Sequence, residues 1–209
     1  MTLIDKRSHL IQTAERLFSV KGFEGTSVRD IAEEAGVNIA MISYYFRSKE
    51  GLMEALFEKR TEDIKMRVES LLKDDSLSPI EKVDMLIEEH VERVMRDKPF
   101  QKIMICEQVI NKNPVIINLI REIKVRSTKV IGELIKDGQK KGAFKKKVDI
   151  VLLLSTMFGT IIHLMIADTF YRNYNNLNEM SDMEFQKLLK TKVTLHIKKI
   201  FKALLVNES

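Results

Sequence analysis

Residues 27–46 read SVRDIAEEAGVNIAMISYYF, and their pattern indicates how the N-terminal part of the chain folds. Within this stretch, Ala32, Gly36 and Ile42 follow the pattern Ala-x3-Gly-x5-Ile, and each of the three positions has a structural role. Ala32 is small enough for two helices to cross closely, Gly36 accepts the positive φ of a turn, and Ile42 fills the space between the helices. The spacing therefore predicts a helix-turn-helix. On spacing alone, a plain helical hairpin is the alternative.

Capping residues divide this stretch into two short helices. Ser27 is a natural N-cap for a helix over 28–34, and Asn38 can cap a helix over 39–46. Apolar residues between positions 10 and 18 recur at helical spacing and predict one more helix upstream. Together the three helices are expected to share a small apolar core.

Long helices are predicted for the rest of the chain, because apolar residues keep the helical period and each proline lies where a helix can begin. The motif Ser78-Pro79-Ile80-Glu81, for example, combines a capping box with proline in the first turn. After a fourth helix that begins near Ser48, helices are expected at 79–96, 99–110, 114–140, 148–171 and 182–205. We therefore expect an all-α fold of about nine helices, with an N-terminal three-helix head over 1–47 and a C-terminal helical bundle over 48–209.

The composition of the 209 residues excludes several classes of protein. The single cysteine, Cys106, rules out an internal disulfide and a metal cluster of thiols. The start of the chain lacks the apolar segment of a signal peptide, and polar residues interrupt the apolar run 150–167. These features predict a cytoplasmic protein that has no membrane span, no metal site and no cofactor.

The charge of the chain points only weakly to a polyanionic partner. The net charge is +5, but residues 1–60 carry nine Lys or Arg and nine Asp or Glu. Lys6, Arg7, Arg47 and Lys49 are nevertheless expected to flank one face of the predicted head. That face can attract a polyanion although the head as a whole is neutral, because only the local field steers an approaching partner.

Residues suited to phosphate cluster at the end of the third predicted helix and the start of the fourth. They are Tyr44, Tyr45, Arg47, Ser48 and Lys49. Hydroxyl groups, an ammonium group and the amides of a helix N-terminus can all hold phosphate oxygens. The cluster therefore favours DNA binding over a plain helical hairpin.

These motifs resemble the N-terminal signature of the tetracycline-repressor (TetR) family over about residues 8–57. The resemblance is carried by Thr26-Ser27-Val28-Arg29-Asp30-Ile31-Ala32, Ala35-Gly36-Val37-Asn38, Ile42-Ser43-Tyr44-Tyr45-Phe46 and Ser48-Lys49-Glu50-Gly51-Leu52. It implies a DNA-binding head of three helices and a ligand-binding body. It also implies a homodimer that forms through the last two helices of the body.

The resemblance also implies the DNA contacts, position by position. Ser27 would cap its helix against a phosphate, Tyr45 and Lys49 would clamp the DNA backbone, and residues 38–44 would face the major groove. The DNA-binding residues predicted in this way are Thr26, Ser27, Asn38, Ile39, Ala40, Met41, Ser43, Tyr44, Tyr45 and Lys49.

Two departures from the family pattern bear on base recognition. Ile39-Ala40-Met41 stands where many members have Lys-Gly-Thr, and Ser43 replaces a frequent tyrosine. Apolar side chains cannot make bidentate contacts to guanine, so we expect base recognition through contact with thymine methyl groups and hydrogen bonds from Asn38 or Tyr44.

In the body, the expected sites are an effector pocket and a dimer interface. The candidate effector residues are Met104, Cys106, Glu107, Met157, Phe158 and His163, because methionine is adaptable and a buried carboxylate or imidazole needs a partner. Ordinary core positions are the alternative for each of them. The predicted dimer interface is the apolar stripe of Phe185, Leu189, Val193, His196, Ile200 and Leu204.

The expected function is that of a ligand-responsive repressor. As a homodimer it would bind a near-palindromic site in double-stranded DNA, and a small, largely apolar effector would release it. One alternative is a helical interaction bundle without DNA binding. Another is an enzyme with dispersed catalytic residues, although the chain lacks P-loop, Gly-x-Ser-x-Gly and His-Glu-x-x-His motifs.

Overall fold

The computed structural model describes residues 3–110 and 112–206, apart from the side chains of 3–5, 62–65 and 68. In this part of the chain the fold is all-α, as predicted, and it contains ten helices. They are α1 (Leu3–Lys21), α2 (Val28–Glu34), α3 (Ala40–Phe46), α4 (Lys49–Lys73), α5 (Pro79–Arg96), α6 (Lys98–Ile110), α7 (Pro114–Lys140), α8 (Ile150–Ile166), α9 (Asp168–Tyr174) and α10 (Asp182–Leu205).

Capping boxes explain why three of the helices begin where they do. Ser27, Ser78 and Ser181 each accept a hydrogen bond from the backbone N–H three residues later, and an acidic side chain at that position accepts one in return from the serine backbone. Each box satisfies backbone donors that the first turn of a helix leaves free. Helices α2, α5 and α10 therefore have the bounds that the sequence predicts.

The predicted helix 148–171 is two helices in the structure. Helix α8 ends at Ile166, α9 begins at Asp168, and the two are bent by 76° at the break. Ala167 adopts a non-helical conformation there, and its N–H closes the last turn of α8 on the carbonyl of His163. No single helix among the described residues is long and apolar enough to cross a membrane, and α8 and α9 reach that measure only as a bent pair.

The chain folds into two compact units, which differ from the predicted division at residues 47 and 48. Unit 1 comprises residues 1–66 and 98–126, and unit 2 comprises 67–97 and 127–209. Helix α6 belongs with the three N-terminal helices because it packs against α1. The functional division into a head and a body stays a prediction, since compactness does not test it.

The core of unit 1 contains the three helices that the sequence predicts to pack together. Ile31 of α2 and Ile42 of α3 are buried with Phe18 of α1. Gly36, in the turn between α2 and α3, has a φ of +64°. This left-handed conformation is open to glycine without strain, and it lets the chain reverse within a few residues.

The core of unit 2 corrects the predicted dimer interface. Phe185, Leu189 and Val193 are buried within the unit itself, in a row that repeats every four residues along α10 and continues through Ile197. These three side chains are therefore unavailable to a second copy. The predicted stripe mixed two faces, because the step of three residues from Val193 leaves this row and reaches His196, which is exposed.

Candidate nucleic-acid interface

One side of α3 and of the turn before it is open to solvent. Ile42 and Phe46 are buried on the inner side. The exposed side chains are those of Asn38, Ile39, Ala40, Ser43 and Tyr44, and Tyr44 is 74% exposed. All five belong to the predicted DNA-binding set, so the structure brings half of that set together on one surface.

Asn38 fixes the start of this surface. Its side-chain Oδ1 accepts a hydrogen bond from the backbone N–H of Ala40 at 2.8 Å, which satisfies a donor in the first turn of α3. The amide nitrogen of the same side chain can still donate to a base edge. Ile39 and Ala40 beside it present methyl groups, which suit the methyl group of thymine.

Met41 and Tyr45 are less accessible than the prediction assumed. Both are half-buried and pack against the core of unit 1. The ring of Tyr45 also meets that of Tyr44 edge to face, with the ring centres 5.0 Å apart. Tyr45 therefore supports Tyr44 from the inner side, and a DNA contact from either half-buried residue stays a prediction.

The structure corrects the role of Thr26. Its side chain is buried, and its hydroxyl donates to the carbonyl of Gly22 at 2.8 Å. This hydroxyl holds the loop between α1 and α2 in shape and cannot reach a phosphate.

Ser27, the next residue, is exposed, but it is engaged in capping α2. Its hydroxyl donates to Asp30 Oδ2 at 2.7 Å and its backbone N–H donates to the same oxygen at 2.8 Å. These two hydrogen bonds lower the pKa of Asp30 below its usual value. A phosphate contact from the Ser27 hydroxyl would have to compete with this capping bond.

Lys49 is also engaged within the protein. Its Nζ donates to the carbonyls of Phe23 at 2.8 Å and Thr26 at 3.0 Å, and it lies 4.1 Å from the centre of the Phe23 ring. An ammonium group has three donor hydrogens, so one remains for a phosphate. The contacts in the structure make Lys49 a tie between α4 and the loop before α2, and its predicted phosphate contact stays untested.

Arg47 is the cation that the predicted set omitted. It is exposed, and among the described residues it has no ion-pair partner. Its φ is +68°, an uncommon conformation for a residue with a side chain, and its N–H closes the end of α3 on the carbonyl of Ser43. The guanidinium of Arg7 lies 5.4 Å from the ring centre of Phe46, the last residue of α3. Two cations therefore lie at the C-terminal end of α3. That Lys6, Arg7, Arg47 and Lys49 flank its exposed side stays a prediction.

Glu107 of α6 reaches the same loop as Lys49. Its carboxylate is buried, and Oε1 accepts a hydrogen bond from the backbone N–H of Phe23 at 3.2 Å. Both backbone polar groups of Phe23 are thus bonded. Its N–H donates to Glu107 of α6, and its carbonyl accepts a hydrogen bond from Lys49 of α4. The sequence marked Glu107 as an effector residue, and its partner in the structure is the loop that leads into α2.

The other predicted effector residues do not form one cluster within either unit. Met104 and Cys106 are half-buried in unit 1, and Met104 packs against its core. In unit 2, Met157 is buried and Phe158 is half-buried, whereas His163 is exposed on α8. An exposed His163 does not fit the prediction that it lines an interior pocket of the bundle.

Comparisons with known proteins cover most of the chain. The family model described as "Bacterial regulatory proteins, tetR family" matches residues 10–56, and the model "YsiA-like protein, C-terminal region" matches residues 57–191. The probable HTH-type transcriptional regulator YttP of Bacillus subtilis is 55% identical over 53 residues, which are 25% of this chain and 26% of YttP. The chain thus spans only about a quarter of this relative's length.

Solved structures match over nearly the full length. The ketosteroid transcriptional regulator KstR2 of Mycobacterium tuberculosis superposes with a TM-score of 0.70 at 19% identity, and the match covers 99% of this chain and 98% of KstR2. The regulator FadR of Bacillus subtilis, solved in complex with stearoyl-CoA, gives a TM-score of 0.64 at 21% identity over 91% of this chain and 96% of FadR. At such identities the likeness shows a shared fold.

Proposed function

Because the chain belongs to the TetR family of bacterial regulatory proteins, we propose that it is a cytoplasmic transcription regulator that binds double-stranded DNA through α3. The observation that carries this proposal is the exposed side of α3. Asn38, Ile39, Ala40, Ser43 and Tyr44 present polar and methyl groups outward on a short helix whose other side is buried. A helix of this kind fits the major groove, where base pairs differ in their donors, acceptors and methyl groups.

Contacts to the DNA backbone would come from the ends of this surface. Arg47 and Arg7 supply charge at the C-terminal end of α3. Ser27 and Tyr45 supply hydroxyl groups, and Lys49 supplies its remaining donor. These contacts would set register and affinity, whereas the exposed side of α3 would read the bases.

A homodimer would present two copies of this DNA-binding surface. Helix α8 exposes Val151, Leu152 and Ile166 within unit 2, and α10 exposes Leu195 and Leu204. Large exposed apolar side chains on two helices favour an interface with a second copy. His196 is exposed and Ile200 half-buried on α10, so these two predicted interface residues remain compatible with it. A dimer would place two α3 helices about 34 Å apart, one turn of DNA, and would read a near-palindrome.

A small apolar effector would release the DNA. FadR binds stearoyl-CoA in its solved structure, and KstR2 is a ketosteroid regulator, so two neighbours of the same fold are connected with large apolar molecules. A coupling free energy of about 1–3 kcal/mol would weaken DNA binding roughly 5- to 150-fold, and DNA would weaken effector binding by the same factor. Glu107 of α6 and Lys49 of α4 both form hydrogen bonds with the backbone of Phe23, in the loop before α2. These bonds support a mechanical coupling of α6 and α4 to α2.

Selection from a pool of random DNA duplexes tests the proposal directly. We expect the bound fraction to converge on a near-palindrome whose half-sites lie about 10 base pairs apart, centre to centre. A matched pair of variants then assigns the surface. Tyr44→Ala should weaken binding to the selected site, whereas Val20→Ala changes an exposed side chain on α1 and should leave it unchanged. Failure to enrich any sequence would favour the alternative of an interaction bundle without DNA binding.

A further inference from the structure

Unit 2 contains a buried hydrogen-bonding atom that has no partner among the described residues. It is Nε2 of His90, on α5. The residue keeps some exposed surface, but Nε2 itself has almost none. Buried polar atoms are nearly always hydrogen-bonded, because an orphaned one loses its bond to water without replacement.

The other ring nitrogen decides which atom carries the proton. Nδ1 of His90 lies 2.9 Å from Nη2 of Arg93, one turn further along α5. A guanidinium group can only donate, so Nδ1 must accept and is unprotonated. The proton of the neutral imidazole is therefore on Nε2, and the orphaned atom is a hydrogen-bond donor.

The surroundings of His90 keep the ring neutral. Burial and, as the smaller cause, the nearby positive charge of Arg93 together lower the pKa of His90 to about 3. Phe158 of α8 meets the imidazole edge to face, with the ring centres 4.7 Å apart. At physiological pH the site is thus a single N–H donor set against an aromatic ring and the apolar core of the bundle.

We infer that Nε2–H of His90 is the polar anchor of a ligand site between α5 and α8, and that it donates to an acyl oxygen of an otherwise apolar molecule. The inference rests on the proposed function, and it names both the place and the chemical class of the effector. Phe158 would line the site, as the sequence predicts, whereas His90 is a residue that no sequence motif marks. An apolar ligand without an acceptor would leave the donor orphaned, so the site selects for an oxygen.

The acceptor can be the carbonyl of a thioester or the carboxylate of a free acid. Three probes with the same hydrocarbon chain separate these sources, namely palmitoyl-CoA, palmitate and hexadecylamine. The amine is protonated near neutral pH and carries donors only, so it is the negative probe. Binding of each probe is measured by isothermal titration calorimetry on the full chain without DNA, so that the result does not depend on DNA binding.

Two variants of His90 isolate the donor. His90→Phe keeps a flat ring of similar size and removes the N–H, whereas His90→Gln keeps a donor. We expect His90→Phe to raise the dissociation constant of the acyl probe about tenfold and His90→Gln to raise it by less than about threefold. We also expect His90→Phe to raise Tm, because it removes an orphaned buried donor from the unliganded protein. If His90 had only a structural role, His90→Phe would lower Tm.

The outcomes either support the inference or overturn it. Tighter binding of palmitoyl-CoA than of palmitate would assign the thioester, and the reverse order would assign the free acid. Equal affinity of hexadecylamine and the acyl probes would overturn the inference, as would unchanged binding by His90→Phe or a lowered Tm with lost binding in both variants. If the wild-type chain binds neither acyl probe but does bind its selected DNA, the inference fails while the proposed function stands.

Discussion

A cluster of polar side chains in unit 1 and one histidine in unit 2 differ in whether their buried polar atoms have hydrogen-bond partners. Around Phe23 in unit 1, the carboxylate of Glu107, the ammonium of Lys49 and the hydroxyl of Thr26 all bond to backbone atoms of one loop. In unit 2, His90 has a buried donor that lacks a partner among the described residues. The polar groups around Phe23 thus hold a fixed geometry before α2, whereas the donor of His90 is the one that a ligand of the proposed kind would satisfy.

The largest expected effect comes from a variant of unit 1 that leaves a buried N–H donor without an acceptor. Glu107→Ala leaves the buried N–H of Phe23 without an acceptor and opens a small cavity, so we expect the free energy of unfolding to fall by about 3 kcal/mol. Urea denaturation followed by circular dichroism measures this. The matched control is Glu107→Gln, which keeps an acceptor oxygen and should lose less than about half as much. Equal losses in both variants would show that the charge, rather than the hydrogen bond, holds the loop.

The next effect concerns the other end of Phe23. Lys49→Met keeps an apolar stem but removes the donors to the Phe23 and Thr26 carbonyls, so we expect a loss of about 1.5 kcal/mol in the free energy of unfolding. Arg47→Met removes an exposed charge nearby and should leave stability within about 0.5 kcal/mol. Thermal unfolding of both variants makes the comparison. If Lys49→Met is as stable as the parent, the two carbonyl contacts of Lys49 contribute no stability, and the predicted phosphate role becomes the better account of Lys49.

Local signals explain how much of the fold the sequence predicts. Ser78 and Ser181 cap their helices through residues three positions away, so the starts of α5 and α10 follow from a few adjacent residues. The turn at Gly36 and the core positions Ile31 and Ile42 follow in the same way. The break at Ala167 does not, because neither glycine nor proline marks it between residues 161 and 180.

Long-range contacts explain what the sequence leaves out of the candidate site. Lys49 donates to the carbonyls of Phe23 and Thr26, which precede it by 26 and 23 positions respectively. No motif around Lys49 therefore reveals these contacts. The partner of Glu107 lies 84 positions away. The inward row of α10 depends on which side of that helix packs against α5, so spacing alone could not tell Phe185 from His196.

The pH dependence of stability provides a smaller effect, which depends on the buried His90 of unit 2. In the unfolded chain an imidazole takes up its proton near pH 6.5, whereas His90 in the folded protein stays neutral down to about pH 3. Between these values the unfolded state binds more protons, so the free energy of unfolding falls as the pH falls from 6.5 towards 3. His90 contributes at most about 1.4 kcal/mol per pH unit to this slope.

Urea unfolding of the parent and of His90→Phe at pH 7, 6 and 5 measures that contribution. The variant should lose less stability than the parent over this range, and His90→Gln should behave like His90→Phe because neither replacement titrates there. Parallel profiles for all three proteins would mean that His90 is solvated in the folded state, and the contrast between the units would then disappear.

The smallest expected change in stability lies at Arg47, where stability and DNA binding should move in opposite directions. Arg47 has a φ of +68°, which costs a residue with a side chain more than it costs glycine. Arg47→Gly should therefore raise the free energy of unfolding by about 0.5 kcal/mol or slightly more. Because the same change removes a charge beside α3, it should weaken binding to all DNA sequences alike. The slope of the logarithm of the binding constant against the logarithm of salt concentration should fall by about one unit.

Arg47→Ala is the matched control, since it removes the charge but keeps the strained conformation. It should show the same smaller salt slope without the gain in stability. If the salt slope of both variants equals that of the parent, Arg47 does not contact phosphate. In that case its backbone conformation serves only to end α3, and the phosphate contacts at this end of the helix must come from Arg7, Tyr45 or the remaining donor of Lys49.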